Sequence, residues 1–510
     1  MRGLAKITIA AGLGLFGSAA IAQDNNQPLS AIDWFRQVQS QEAQPSEPTE
    51  PTVEESAPEI EVSVLGPQSP DAVGLTSSVV SGFASTIWQN SETARLSDIL
   101  NNTSIPRLPA INILLTRLML TEAETPNGPA GAFLAARVNT LMKLGEVEPA
   151  IALLERANPE ATPELFSLWA DLSMLAGQEK DLCERLVEKP SLSPGFDYMV
   201  YCLSRSGDWS AAATTVLAAE VLGELDPDTV LLLTRFLDPE LFEGIPVVEL
   251  EEDQLTPLTF RLYEGIGEPW PTDRLGLEYA HSDLRGLSGW RAQITAAERL
   301  ARTGAVSENL LLGIYLRNEP AASGGIWDRV ADIQALDEAI ESEDQSAIVE
   351  ALNSAWISFE GVGLRHVVAN LFGDQLAQFE WQNPEQKSLV HEVSMLSRSF
   401  ESVAKSHWPT NHREAFLNAI ALGETKGTTY PGVLADAIRK GFSEAPDSEH
   451  TFLLARNADG EALLSVISKV AAGRDSYPSD ISQAISVFQV LGLGEFARQF
   501  ALQLVLSSEE

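Results

Sequence analysis

The chain is poor in basic residues, and past its N-terminus it lacks long apolar runs. Its 510 residues include 34 Lys and Arg against 72 Asp and Glu, a formal net charge of −38. Nucleic acids and anionic membrane surfaces need a basic protein face, so this charge argues against both as partners. No later stretch approaches the ~20 apolar residues that span a bilayer, so we expect no stable membrane insertion.

The sequence also lacks the short motifs of common catalytic and cofactor sites. It contains no P-loop, no dinucleotide-binding glycine fingerprint, no H-E-x-x-H and no G-x-S-x-G. Of the six histidines, only His407 and His412 are close in sequence, and with Glu414 they are a weak alternative as metal ligands. We therefore predict no catalytic residue, no cofactor, no metal and a protein that is not an enzyme.

The N-terminus has the three parts of a secretory signal peptide. Arg2 and Lys6 supply the positive charge, residues 7–17 are apolar, and residues 20–22 form an A-x-A cleavage site. The sequence predicts a signal peptide over 1–22, with cleavage between Ala22 and Gln23. We expect a periplasmic or secreted protein.

The segment 23–65 is rich in Pro, Glu, Ser and Thr and poor in apolar residues. Such a composition cannot bury enough apolar surface to offset the cost of ordering, so it predicts a disordered acidic linker. Ile32, Trp34 and Phe35 form an apolar island within it. We expect the island to dock on a partner or on the protein itself, with an incidental apolar patch as the alternative.

The chain has only two cysteines, Cys183 and Cys202. They lie at similar distances on either side of a turn centred near Leu192, so in an antiparallel hairpin they would face each other. Exported proteins keep disulfides, and a bond here would close a loop worth about 3 kcal/mol. The spacing predicts a Cys183–Cys202 disulfide.

From residue 73 onward, apolar residues recur at three- and four-residue spacing, which is typical of amphipathic helices. Gly145, Gly177 and Gly207 recur 32 and 30 residues apart, each between two helix-like runs. This period is typical of helical-hairpin solenoids. The sequence predicts an all-α fold: a helical-repeat region over 66–241 and a second all-α region over 255–510.

Small residues follow two of these glycines at fixed offsets. They are Ala150 and Ala157 after Gly145, and Ala212 and Ala219 after Gly207. With the acidic residue that follows each glycine, this pattern resembles tetratricopeptide units. The resemblance covers roughly residues 130–230, and it implies binding to other proteins rather than catalysis.

A glycine-rich loop in the second region is the other distinctive segment. Ser323, Gly324 and Gly325 lead into a helix that carries Trp327 and Arg329. We predict an interaction loop here, with an ordinary turn between helices as the simpler alternative.

Together these features predict an exported helical-repeat scaffold that mediates protein–protein contacts in the bacterial cell envelope. Two alternatives remain open. One is an envelope hydrolase or a carbohydrate-binding helical domain related to peptidoglycan. The other is a structural secreted protein without a fixed partner.

Overall fold

A computed structural model describes residues 69–247, 250–320 and 322–506 of the chain. The predicted signal peptide, the predicted linker 23–65 and the island with Ile32, Trp34 and Phe35 lie outside these residues. The described residues all belong to one compact unit, Leu65–Glu510.

The first half of the described chain is built from α-helices joined by short turns and 3₁₀ segments. The helices are Ser78–Ser81, Thr93–Asn102, Pro109–Met119, Ala132–Lys143, Val147–Ala157, Pro163–Ala176, Glu179–Glu188, Phe196–Arg205, Trp209–Leu222 and Pro227–Leu237. Short 3₁₀ turns lie at Pro239–Phe242 and Glu252–Gln254, in the segment where the sequence predicts a boundary between regions.

The second half continues in the same way. Its helices are Pro257–Gly265, Leu277–Leu284, Trp290–Thr303, Glu308–Tyr315, Ile326–Ser342, Gln345–Glu360, Arg365–Leu376, Pro384–Leu396, Phe400–Ser406, His412–Leu422, Val433–Ser443, Ser448–Ala455, Asp459–Lys469, Pro478–Val490 and Gly494–Leu506. The described residues form no β-strand and only two isolated bridges. The all-α prediction is therefore confirmed.

Helix starts follow the capping residues in the sequence. The hydroxyl of Thr162 accepts a hydrogen bond from the backbone N–H of Leu165 at 3.2 Å, and Pro163 fills the first helical position. Asp226 caps the helix that begins at Pro227 in the same manner. A capping side chain satisfies a backbone N–H that has no partner within the helix, and proline gives up no bond at the first position.

Consecutive helices in the predicted repeat region contact each other across turns in which Gly145, Gly177 and Gly207 have left-handed φ values. Gly145 joins one such pair with φ 81°, and a Cβ built on it would lie 2.6 Å from Leu300 Cδ2. Ala150, Ala212 and Ala219 are fully buried, as the close approach of paired helices requires. The tetratricopeptide resemblance and the regular solenoid remain predictions.

The last described helices pack against the first described ones. Helix Gly494–Leu506 contacts helix Pro109–Met119, and helix Asp459–Lys469 contacts helix Thr93–Asn102. At the second contact a Cβ on Gly460 would lie 2.5 Å from the ring of Trp88, so glycine allows the close approach. One hydrophobic core accordingly contains side chains from both predicted regions.

A buried arginine fastens the first described segment to this core. The fully buried Arg137 donates hydrogen bonds to the carbonyl oxygens of Met119 (2.7 Å), Val73 (2.8 Å), Asp71 (3.1 Å) and Thr121 (3.2 Å). The Asp71 carboxylate accepts from two backbone N–H groups at the start of helix Ala132–Lys143. Burial lowers the pKa of Arg137 to about 10, and the charge of Asp71 partly offsets this.

Candidate functional site

The two cysteines form a disulfide between neighbouring helices. Cys183 lies on helix Glu179–Glu188 and Cys202 on helix Phe196–Arg205, with their Cα atoms 4.7 Å apart. The predicted disulfide is therefore confirmed. It braces the hairpin on which the next helix, Trp209–Leu222, packs.

Helix Trp209–Leu222 carries an exposed surface that is largely apolar and, apart from Glu220, uncharged. Its buried positions, Ala212, Val216 and Ala219, face the two neighbouring helices of the chain. On the opposite side Leu217 is 63% and Val221 86% exposed. We call this side the apolar face, and it consists of Trp209, Ser210, Ala213, Thr214, Leu217, Ala218, Val221 and Leu222.

The surroundings of the apolar face are acidic. Residues 206–234 contain no Lys or Arg, and their five acids are Asp208, Glu220, Glu224, Asp226 and Asp228. A groove of about 520 Å³ lies beside the face, between Phe196 and the side chains of Ala211, Thr214 and Thr215. A cluster of exposed apolar side chains on one helix indicates a contact surface, and this helix carries a single charged residue.

The side chains of the predicted interaction loop are largely engaged within the protein. Arg329 makes two hydrogen bonds to the buried carboxylate of Glu298, at 2.8 and 2.7 Å. The Trp327 ring packs against Trp290 with 5.2 Å between centroids. The N–H of Gly324 donates to the Asp328 carboxylate in the next turn, while the exposed Ser323 does not cap the helix. The interaction role of this loop remains a prediction.

The two neighbouring histidines have separate partners. His407 Nε2 lies 3.1 Å from Glu414 Oε2, whereas His412 Nδ1 lies 3.1 Å from the hydroxyl of Thr429. Burial raises the pKa of Glu414, but hydrogen bonds from Thr410 and His407 outweigh this and lower it to about 2. Among residues 69–247, 250–320 and 322–506, no three His, Cys, Asp or Glu side chains group as metal ligands would.

Three adjoining cavities lie along the last described helix, Gly494–Leu506. Their volumes are about 480, 100 and 550 Å³. Glu360, Arg365 and Leu506 line both the first and the second, and Pro109 and His366 line both the second and the third. We call them the arginine-lined cavities after the arginines in their walls, which are Arg107, Arg117, Arg365, Arg398, Arg413 and Arg474.

The sequence gives no sign of these cavities. The six arginines lie in separate stretches of the chain and follow no period or motif. They come together in the fold, where the last described helix packs against helices Pro109–Met119, Pro384–Leu396 and His412–Leu422. The apolar face, in contrast, has a local signal, since the run WSAAATTVLAAEVL contains a single charged residue.

The described part of the chain thus offers two surfaces for binding, one apolar and one positively charged. No described helix combines the length and apolar character needed to cross a membrane. Comparison with family models, curated proteins and solved structures finds no match to this chain.

Proposed function

We propose that this chain is an exported helical scaffold that binds a partner protein through the apolar face of helix Trp209–Leu222. Export is supported by the signal-like N-terminus and by the disulfide, because disulfides persist mainly in oxidising compartments. The observation that carries the proposal is the wide, nearly uncharged face on an edge helix of a chain with net charge −38.

Water contact makes such a face unfavourable unless something covers it. Burying a Val or Leu side chain is worth about 1.5–3 kcal/mol relative to leaving it exposed. Leu217 and Val221 therefore offer a partner several kcal/mol before association costs are subtracted. The disulfide-braced hairpin beneath holds the helix in place, so binding requires little ordering of the scaffold.

The charge around the face indicates the chemistry of the partner. Five acids and no basic residue lie in 206–234, so basic side chains at the rim of a partner would be attracted and acidic ones repelled. A helix with an apolar stripe flanked by Lys and Arg fits both the face and its border. We infer a partner segment of this kind.

Charged substitutions on the face test the proposal in the full-length protein. We expect Leu217→Glu with Val221→Glu to reduce recovery of a chemically crosslinked envelope partner at least tenfold, because interface anchors each contribute more than about 1 kcal/mol. The matched control is Ile357→Glu, since Ile357 is a branched aliphatic residue on another helix and is 68% exposed. Quantitative mass spectrometry measures the recovered partner.

Two results would contradict the proposal. The first is equal recovery from the doubly substituted protein and from Ile357→Glu. The second is a concentration-dependent homodimer of the purified protein that the double substitution abolishes, which would assign the face to a second copy of this chain. Circular dichroism confirms that each variant keeps its helix content.

A further inference from the structure

The arginine-lined cavities reverse the charge balance of the chain. Their walls carry six arginines against three glutamates, and no Lys or Asp. The whole chain has 34 Lys and Arg against 72 Asp and Glu. Four of these arginines pair with an acidic side chain, so the cavity walls are less acidic than the outer surface and favour an anion over it.

Two arginines of the 480 Å³ cavity are held in place and still have donors to offer. Arg365 donates from Nη2 to Glu360 at 2.7 Å, and Arg413 donates from Nε to Glu392 at 2.8 Å. Within the described residues, Nη1 of Arg365 and Nη2 of Arg413 donate no hydrogen bond. Guanidinium groups fixed in this way suit a carboxylate or phosphate, which accepts parallel hydrogen bonds.

The same cavity is lined by the first turn of helix Val433–Ser443. Val433, Leu434 and Ala435 all belong to its wall, and the capping residue Gly432 provides no side-chain hydrogen bond. The first backbone N–H groups of a helix have no partner within the helix, and they carry the positive end of its dipole. The helix start therefore adds to the attraction that the arginines exert on an anion.

Apolar side chains form the rest of this wall. Phe416 and Tyr430 stack with their ring centroids 5.2 Å apart, and Val505 and Leu506 line the same cavity. Its volume of about 480 Å³ falls within the range of small-molecule sites. We propose that this cavity binds a small organic anion, with its carboxylate or phosphate at the arginines and an apolar or aromatic portion against these side chains.

Ligand-observed NMR on the full chain at low ionic strength tests this site with defined probes. The probes are phenyl phosphate, phenylacetate and the uncharged benzyl alcohol. We expect saturable binding of at least one anion, in the millimolar range or tighter, and a response from its ring protons. The stronger of the two anions identifies the head group. Equal binding of benzyl alcohol would overturn the proposal, because no anion recognition would then be involved.

Substitutions locate the binding. Arg413→Gln and, independently, Arg474→Gln should each weaken the bound anion at least tenfold, so the second variant serves if the first does not fold. The control is Arg291→Gln, which removes the same charge from an exposed helix position away from the cavities. Binding that survives both cavity substitutions, or that falls equally in the control, would overturn the proposal. The outcome is independent of whether the apolar face binds a protein.

Discussion

Replacing Arg137 by Met tests whether this buried side chain holds the first described segment on the core. Arg137→Met keeps a long side chain but removes the positive charge and four hydrogen bonds to backbone carbonyls. It leaves the buried carboxylate of Asp71 with two backbone N–H groups and the Ser69 hydroxyl as its partners. The substitution therefore separates the role of the charge from that of side-chain volume.

The expected cost follows from the buried carbonyl oxygens that lose their donor. Leaving a buried acceptor without its partner typically costs about 1–3 kcal/mol, and Arg137 is the donor to four such oxygens. Urea unfolding followed by circular dichroism measures this as a lower midpoint at an unchanged m-value. The control is Arg156→Met, because Arg156 and its partner Glu122 are exposed and such pairs contribute about 0–1 kcal/mol. A decrease in the free energy of unfolding of less than about 1 kcal/mol for Arg137→Met, or one equal to that of the control, would contradict this role of Arg137.

Three further changes have defined outcomes. Replacing Cys183 and Cys202 by Ala should lower the free energy of unfolding by about 3 kcal/mol. Non-reducing mass spectrometry should detect the crosslink in the native protein and not in this variant, and free thiols in the native protein would contradict the prediction. Burial raises the pKa of Glu146 to about 7, so between pH 4.5 and 7 the folded protein keeps a proton on this carboxyl group that the unfolded chain releases. The free energy of unfolding therefore falls by up to about 3 kcal/mol as the pH rises from 4.5 to 7. Glu146→Gln should flatten that fall in urea midpoints, and an unchanged slope would refute the cause. Gly460→Ala should cost about 1–3 kcal/mol because its Cβ meets Trp88, and a neutral thermal melt would contradict the close packing.

Local sequence patterns predict the structural features that depend on residues close together in the chain, such as helix starts and the disulfide. Thr162 followed by Pro163 marks a helix start, and the hydrogen bond from Leu165 N–H confirms it. Cys183 and Cys202 are similarly predictable, because a turn between two helices brings them to the same height. Such features depend on residues within a few helical turns of one another.

Features that depend on contacts between distant segments of the chain could not be predicted from the sequence. The sequence predicts an interaction loop at Ser323, yet the guanidinium of Arg329 is paired with Glu298, which lies on a preceding helix. The arginine-lined cavities are the opposite case, because Arg107 and Arg474 line adjoining cavities only once the last described helices pack against the first described ones. Neither outcome follows from periodicity or spacing.

Site-specific photocrosslinking at Leu217 tests the claim that the apolar face binds a partner protein. A photoreactive amino acid replaces Leu217 in the full-length protein, and a second protein carries it in place of the equally exposed Ile357. We predict that position 217 crosslinks one partner polypeptide, through a segment with an apolar stripe flanked by basic residues, and that position 357 does not. The claim is contradicted if position 217 captures nothing, gives the same products as position 357, or crosslinks only to this chain.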